Sequence, residues 1–251
     1  MAGVSRLQYA TDIELIRVMC SGRVDLEFVF RAFAKGMDGV FIGGCRLNEC
    51  NYTTHGNYHA LNMALLCKKI LSHLGLNPDR LMVGFMSSGE GNLFAEAVND
   101  FSRNVASLGP LGSSEGLSRK ELDLKLQEVR KLIPYIKIAK KEKLEIRLEN
   151  EEEYESFYTA DEIERLFAEI PTFQIDPDKC QACMICLRKC PVQAIEGGKG
   201  QVHFIDQEKC IKCGTCFEAC PSRFSAVQKT SAAKVHPPGP GEESGVQTMG
   251  K

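Results

Sequence analysis

The sequence predicts an α/β chain. A parallel-sheet domain is expected at residues 1–112, a helical connector at 113–172, a small α+β module at 173–228 and a flexible tail at 229–251. Three observations predict this. A strand–loop–helix pattern runs three times through the first 108 residues. A charge-dense stretch with helical periodicity follows it. Then Ile175-Asp176-Pro177-Asp178-Lys179-Cys180 recurs thirty positions later as Ile205-Asp206-Gln207-Glu208-Lys209-Cys210.

The repeats are read in order. Residues 13–19 form a short run rich in branched apolar residues, closed by Cys20-Ser21-Gly22-Arg23 and followed by a helical pattern at 24–34. A second run, Gly39-Val40-Phe41-Ile42-Gly43, ends at Gly44-Cys45. A loop to His55 and a helix at 57–74 follow. The third, residues 81–86, ends at Ser87-Ser88-Gly89-Glu90-Gly91 and leads into a helix at 92–108. Strand, loop and helix in alternation read as a parallel sheet. Three strands make a thin sheet, and nothing before Ile13 reads as another strand with its crossover helix.

In the connector, Leu122, Leu126, Val129, Leu132 and Ile133 predict an amphipathic helix at 118–133, which Pro134 is expected to end or kink. Residues 137–155 carry dense charge and read as a solvated face. Thr159, with Glu162 three residues on, predicts a helix start. Beyond Val227 the chain turns to Ser, Pro, Gly, Lys and Glu, including Pro237-Pro238-Gly239-Pro240-Gly241, which reads as a tail.

Composition excludes several classes. Charged residues make up 25% of the 251 and hydrophobic ones 43%, which excludes a largely disordered chain. No apolar run approaches the ~20 residues that cross a bilayer, and the amino terminus has no apolar signal core. The expected location is a reducing cytoplasm, where cysteines bind metals or carry redox chemistry more often than they form disulfides. A net charge of −2 gives no reason to expect nucleic acid or anionic lipid as a partner.

Eight of the twelve cysteines stand between positions 180 and 220. Their spacing is Cys180-x2-Cys183-x2-Cys186-x3-Cys190-Pro191, repeated as Cys210-x2-Cys213-x2-Cys216-x3-Cys220-Pro221. This is the run that holds two 4Fe–4S clusters, the fourth cysteine of each run ligating the other cluster. Three thiolates at three-residue intervals wrap one face of a cubane, and the fourth, after a short helical turn, points toward the neighbouring cube. Cluster I is assigned to Cys180, Cys183, Cys186 and Cys220. Cluster II is assigned to Cys210, Cys213, Cys216 and Cys190. Over about 50 residues the block resembles the two-cluster 4Fe–4S ferredoxin family. A pair of zinc sites is the competing reading, and zinc rarely uses this spacing with its trailing proline twice in tandem. Residues 192–196 and 201–205 flank Gly197-Gly198-Lys199-Gly200, a hairpin signal, while 172–175 and 225–227 supply outer strands. Phe173, Ile185, Ile195, Ile205, Ile211 and Phe217 are expected to shield the clusters, and His203 is expected on the strand surface. Between 173 and 222 six acidic residues balance six basic ones. A diffusing carrier gains from a single-sign field, so a balanced module favours a wire built into a complex.

In parallel sheets the loops after the strands share one edge, where ligands bind. Cys20 follows the first run, and Cys45 and Cys50 the second, so chain logic brings three thiols to that edge. They are compatible with a metal or cluster site, a reactive thiol pair or buried bystanders. His55 and His59 could add a ligand, although loop or surface roles fit each of them, and Arg23 beside Cys20 could hold an anion. Cys67, on a helical face with Ala64, Leu71 and Leu74, reads as core.

Four further stretches carry a second resemblance. They are Ala2-Gly3-Val4-Ser5-Arg6-Leu7-Gln8-Tyr9, Arg17-Val18-Met19-Cys20-Ser21-Gly22-Arg23-Val24-Asp25, Gly43-Gly44-Cys45-Arg46-Leu47-Asn48-Glu49-Cys50-Asn51-Tyr52 and Gly56-Asn57-Tyr58. In order, over roughly 1–112, they resemble the delta subunit family of methyl-viologen-reducing hydrogenase. The resemblance implies a flavodoxin-like α/β fold and a 2Fe–2S cluster, with Cys20, Cys45 and Cys50 as candidate ligands. It also implies partners: a hydrogenase, formate dehydrogenase or other oxidoreductase subunit on one side and a heterodisulfide-reductase-like flavoprotein subunit on the other, in an anaerobe. The family begins further upstream, with a strand and a cysteine-bearing turn, sometimes with selenocysteine. The expectation here is therefore that Met1 is a misassigned start, that the sheet lacks its first strand and that the fourth 2Fe–2S ligand lies in that segment.

The resulting expectation is a non-catalytic iron–sulfur electron-transfer subunit carrying two 4Fe–4S clusters and one 2Fe–2S cluster in a multi-subunit, electron-bifurcating type of complex. The alternative makes the α/β domain a thiol- or flavin-dependent redox enzyme fed by the ferredoxin module. Against it, Gly89-Glu90-Gly91 lacks the third glycine of a dinucleotide fingerprint. A redox sensor or assembly adaptor is a third reading.

Overall fold

Two short apolar runs, β1 (Val40–Gly44) and β2 (Leu81–Phe85), pair in parallel with Val40 opposite Leu81 and Gly44 opposite Phe85. The computed structural model describes residues 6–52 and 55–231. These divide into two units, one running up to Phe167 with Lys209–Cys213, the other formed by Ala168–Glu208 and the chain from Gly214 onward.

In the first unit, helices cover the pair of strands. Helix α1 (Leu26–Ala34) is capped by Asp25, whose carboxylate accepts from the Glu27 amide, and it buries Leu26, Val29, Phe30 and Phe33 along one stripe. Full burial of such side chains contributes about 1.5–3 kcal/mol each. Helix α2 (Asn57–His73) buries Leu66, Cys67, Ile70 and Leu71, so Cys67 is a core residue, as its helical position predicts. Burial, and then the charge of Asp25, push its thiol well above the ordinary range. Helix α3 is Gly91–Leu108. Helix α4 (Arg119–Ala139) opens with a reciprocal box, the Ser118 hydroxyl accepting from the Glu121 amide and the Glu121 carboxylate accepting from the Ser118 amide.

The stretch read as a connector packs into this same core. Leu122, Leu126, Val129, Ile133 and Ile136 of α4 join Phe30, Phe33 and Leu66, and so do Leu144 of α5 (Lys141–Glu145) and Ile163 of α6 (Ala160–Ala168). Glu162 ties α6 down by accepting from both Lys140 (2.6 Å) and Lys143 (2.7 Å). The Glu162 amide donates to Thr159 Oγ1, the helix start read from that pair.

Three expectations need correction. Residues 13–19 form no strand, so the sheet has two strands rather than three. Leu15, Ile16 and Met19 are exposed there, and the run lacks a ladder partner for its backbone. Of the two outcomes expected at Pro134, an end or a kink, the end does not occur, since helix α4 runs through it. Ile133 and Ile136 are buried on either side of it, and that burial outweighs the lost amide bond. Residues 229–231, assigned to the tail, belong to a strand; the rest of the expected tail, 232–251, lies outside the described residues.

The second unit follows the thirty-residue repeat. Strands β3 (Pro171–Ile175) and β6 (Val227–Ser231) pair antiparallel, with Ile175 opposite Val227. Strands β4 (Ile195–Glu196) and β5 (Phe204–Ile205) form the hairpin across the glycine turn. The short helices α7 (Ile185–Lys189) and α8 (Thr215–Ala219) stand thirty positions apart. Two backbone bonds have donors at the same spacing: the Asp176 amide donates to Ala226 O and the Asp206 amide to Ala194 O, both at 2.8 Å. Phe173, Cys186, Ile195, Cys216 and Val227 form the core. Ile185 and Phe217, expected as shields, are 37% and 47% exposed, because α7 and α8 are too short to bury more than one face.

Candidate metal centres

In the second unit, Cys180, Cys183, Cys186 and Cys220 border one cavity. Local backbone makes this possible. Ala182 (φ 48°) and Met184 (φ 66°) take left-handed conformations that curl the chain around the cavity before α7 begins. Lys212 (φ 58°) and Gly214 (φ 78°) repeat those turns in the second run. Helix α8 then carries the chain to Cys220, so the last cysteine of the second run meets the first three of the first. Ile175, Pro221, Phe224, Ala226 and Val227 close the remaining wall. Burial holds the Cys186 thiol above its ordinary range, and the adjacent Cys183, Cys180 and Cys220 thiols add to this.

His203 also lines this cavity. It was expected on the strand surface, but it is 1% exposed, with Nδ1 3.8 Å from Cys180 Sγ and Nε2 3.3 Å from Met184 Sδ. The turn explains the difference. Gly197, at φ 134°, leaves room for the imidazole where a Cβ would lie 2.5 Å from His203 Cδ2.

Of the second set, Cys216 is buried in the core and Cys190 packs against it. Cys190 Sγ accepts from the Ala194 amide at 3.2 Å, the kind of bond that steadies a ligating thiolate. Cys210 and Cys213 occupy the loop Lys209–Cys213.

In the first unit, Cys20, Cys45 and Cys50 come together. Burial opposes ionisation of Cys50, but the amides of Tyr52 and Asn57 and the thiols of Cys45 and Cys20 hydrogen-bond to it and lower its pKa. Cys45 is raised, first by burial and then by Cys50 and Cys20. Two glycines let the loops meet: a Cβ on Gly56 would collide with Cys50 Sγ, and one on Gly22 with the His55 carbonyl. Asn57 secures the loop after β1, its amide donating to Cys45 O at 3.0 Å. Ser21 is 5% exposed and its Oγ has no partner; it lies against Gly44, where a Cβ would come within 2.7 Å. His59 is held away by Leu144 O at 3.0 Å, while His55 and Arg23 are exposed.

The donor sets are soft thiols with apolar or amide surroundings, which suit iron–sulfur groups. Among the described residues, no three His, Cys, Asp or Glu side chains are grouped to hold a single metal ion. None of the described helices is long and apolar enough to cross a membrane.

The repeat and the thiol-lined cavity define an iron–sulfur protein of ferredoxin type. Comparison with known families agrees. Residues 179–224 match a 4Fe–4S dicluster domain and 205–248 a 4Fe–4S single cluster domain of ferredoxin I. Residues 1–109 match the delta subunit of methyl-viologen-reducing hydrogenase, and the chain belongs to that family. The iron-sulfur subunit of the F420-non-reducing hydrogenase of Archaeoglobus profundus is 43% identical over 110 residues, 44% of this chain and 80% of that protein. The vhc iron-sulfur subunit of the F420-non-reducing hydrogenase of Methanococcus voltae is 40% identical over 118 residues, 47% of this chain and 81% of that protein. One chain of the ferredoxin/F(420)H(2)-dependent CoB-CoM heterodisulfide reductase of Methanosarcina acetivorans is 42% identical over 113 residues, 45% of this chain. The match spans only 14% of that longer protein.

Proposed function

We propose that this chain is an electron-transfer component of a multi-subunit redox complex in the cytoplasm. It stands between a partner of hydrogenase or dehydrogenase type and a heterodisulfide-reductase-like flavoprotein. One observation carries the reading: the cavity bordered by Cys180, Cys183 and Cys186 of one run and Cys220 of the other. These four hold one 4Fe–4S cluster, and Cys210, Cys213, Cys216 and Cys190 hold the second. Cys20, Cys45 and Cys50 supply three thiolates to a 2Fe–2S cluster at the edge of a flavodoxin-like sheet. The orphaned Ser21 hydroxyl beside them fits this, since a bound sulfide or thiolate gives it an acceptor.

Such clusters, when bound, exchange single electrons at potentials set by their surroundings. The chain's own part is to position and insulate them. Cys186 and Cys216 sit in an apolar core with Phe173, Ile195 and Val227, which excludes water. The balanced charge of residues 173–222 gives the module little field with which to steer a diffusing partner, in keeping with fixed docking. The test is to mix the anaerobically purified full chain with the hydrogenase of its source under hydrogen. Bleaching of the visible iron–sulfur absorbance is expected. Retained absorbance with the active hydrogenase, and also with the formate dehydrogenase of the source and formate, would contradict the proposed place in the complex.

A further inference from the structure

We infer that His203 donates a hydrogen bond to the ligating sulfur of Cys180 and raises the potential of the cluster held by Cys180, Cys183, Cys186 and Cys220 above the value that site would have with the phenylalanine found thirty positions earlier. The inference rests on the two-cluster reading above and goes beyond it to a residue that tunes one of the two sites.

The internal repeat supplies the control. Moving thirty positions along the chain takes Cys180 to Cys210, Met184 to Gly214 and Phe173 to His203. The backbone obeys this symmetry, in the left-handed turns at 182 and 212 and at 184 and 214, and in the matched helices α7 and α8. The side chains break it. In the second run, Phe173 Cζ lies 3.3 Å from where a Gly214 Cβ would stand, and the ring shares the apolar core that holds Cys216. A phenyl ring offers no N–H. At the first set the corresponding place holds a buried imidazole, between Cys180 Sγ at 3.8 Å and Met184 Sδ at 3.3 Å.

Both of those neighbours are acceptors once Cys180 ligates as a thiolate. A neutral imidazole has one N–H to give, and a thiolate carrying cluster charge accepts it better than a thioether does. His203 therefore donates Nδ1–H to Cys180. Reduction adds one electron, and its negative charge spreads onto the ligating sulfurs. A hydrogen bond to those sulfurs stabilises the reduced state more than the oxidised one and raises the potential. Phe173 offers no such donor to the other set, where Cys190 Sγ accepts from the Ala194 backbone amide at 3.2 Å. Met184 in place of glycine closes the far side of the imidazole, so the ring keeps its orientation.

The experiment is an EPR-monitored redox titration with dithionite at one fixed pH, using the reconstituted full chain with its iron content measured. His203→Phe, which installs the repeat's own residue, should lower one cubane midpoint and leave the other in place, by about a tenfold change in the reduction equilibrium, or about 59 mV. His203→Gln, which keeps a donor, should restore most of that midpoint. Phe173→His should raise the other midpoint, and it decides the matter if His203→Phe fails to hold its iron. Full iron with both midpoints unmoved in the variants would overturn the inference while leaving the two-cluster reading intact. A wild-type chain with no cubane signals would overturn both.

Discussion

Single residues carry the assignment of ligands. Cys220 borders the cavity of the first run, so Cys220→Ala should remove one cubane, roughly four irons, and leave the other reducible. Equal loss from both sites would speak against the crossed arrangement. Gly56 tests the other site. A Cβ there collides with Cys50 Sγ and the Tyr52 carbonyl, so Gly56→Ala should abolish any 2Fe–2S signal while both cubane signals remain. Arg80 is a residue of structure alone. It is fully buried, paired with Glu115 at 2.6 Å and donating to the carbonyls of Asp38 and Gly109. Arg80→Ala strands a buried carboxylate and should cost about 3–5 kcal/mol in a denaturant titration. Burial alone would raise the Glu115 pKa, but Arg80, the Asn77 amide and Ser114 bring it down to about 2 from an ordinary 4.5. A depressed carboxyl stabilises the fold above its unfolded pKa. That contribution should fade as pH falls from about 4.5 toward 2, and it should be absent from the acid unfolding curve of Glu115→Gln.

At the scale of elements, α4 offers the clearest test. Pro134 lies inside it and denies the Arg130 carbonyl its usual donor. Pro134→Ala should raise the urea midpoint with an unchanged slope, by up to about 3 kcal/mol; a loss of stability would mean the proline ring packs better than the missing bond costs. The same helix shows where local reading stops. Its start at Ser118 is legible because a capping box is written in adjacent residues, whereas its passage through Pro134 depends on Ile136 meeting a core built by distant parts of the chain. Residues 13–19 show the converse: branched apolar residues suit a strand, yet a strand exists only where a neighbour completes the ladder. The thirty-residue repeat was legible because its spacing is itself the chemistry. His203 is buried where a surface place is expected because alternation along a two-residue strand says little, and its burial follows from a glycine turn and a methionine against its ring.

At the scale of the whole molecule, the proposed function joins two kinds of iron–sulfur site on one chain. The first unit gathers three thiols at a parallel-sheet edge, and the second builds a thiol-lined cavity from a duplicated loop and helix. The measurement that tests this most directly is iron and acid-labile sulfide determination on the anaerobically purified full chain, with EPR of the dithionite-reduced protein. Roughly ten irons per chain, two cubane signals and one 2Fe–2S signal are expected. Roughly eight irons with no 2Fe–2S signal would remove the cluster from the first unit. A chain holding zinc, or no iron at all, and accepting no electrons would contradict the central claim.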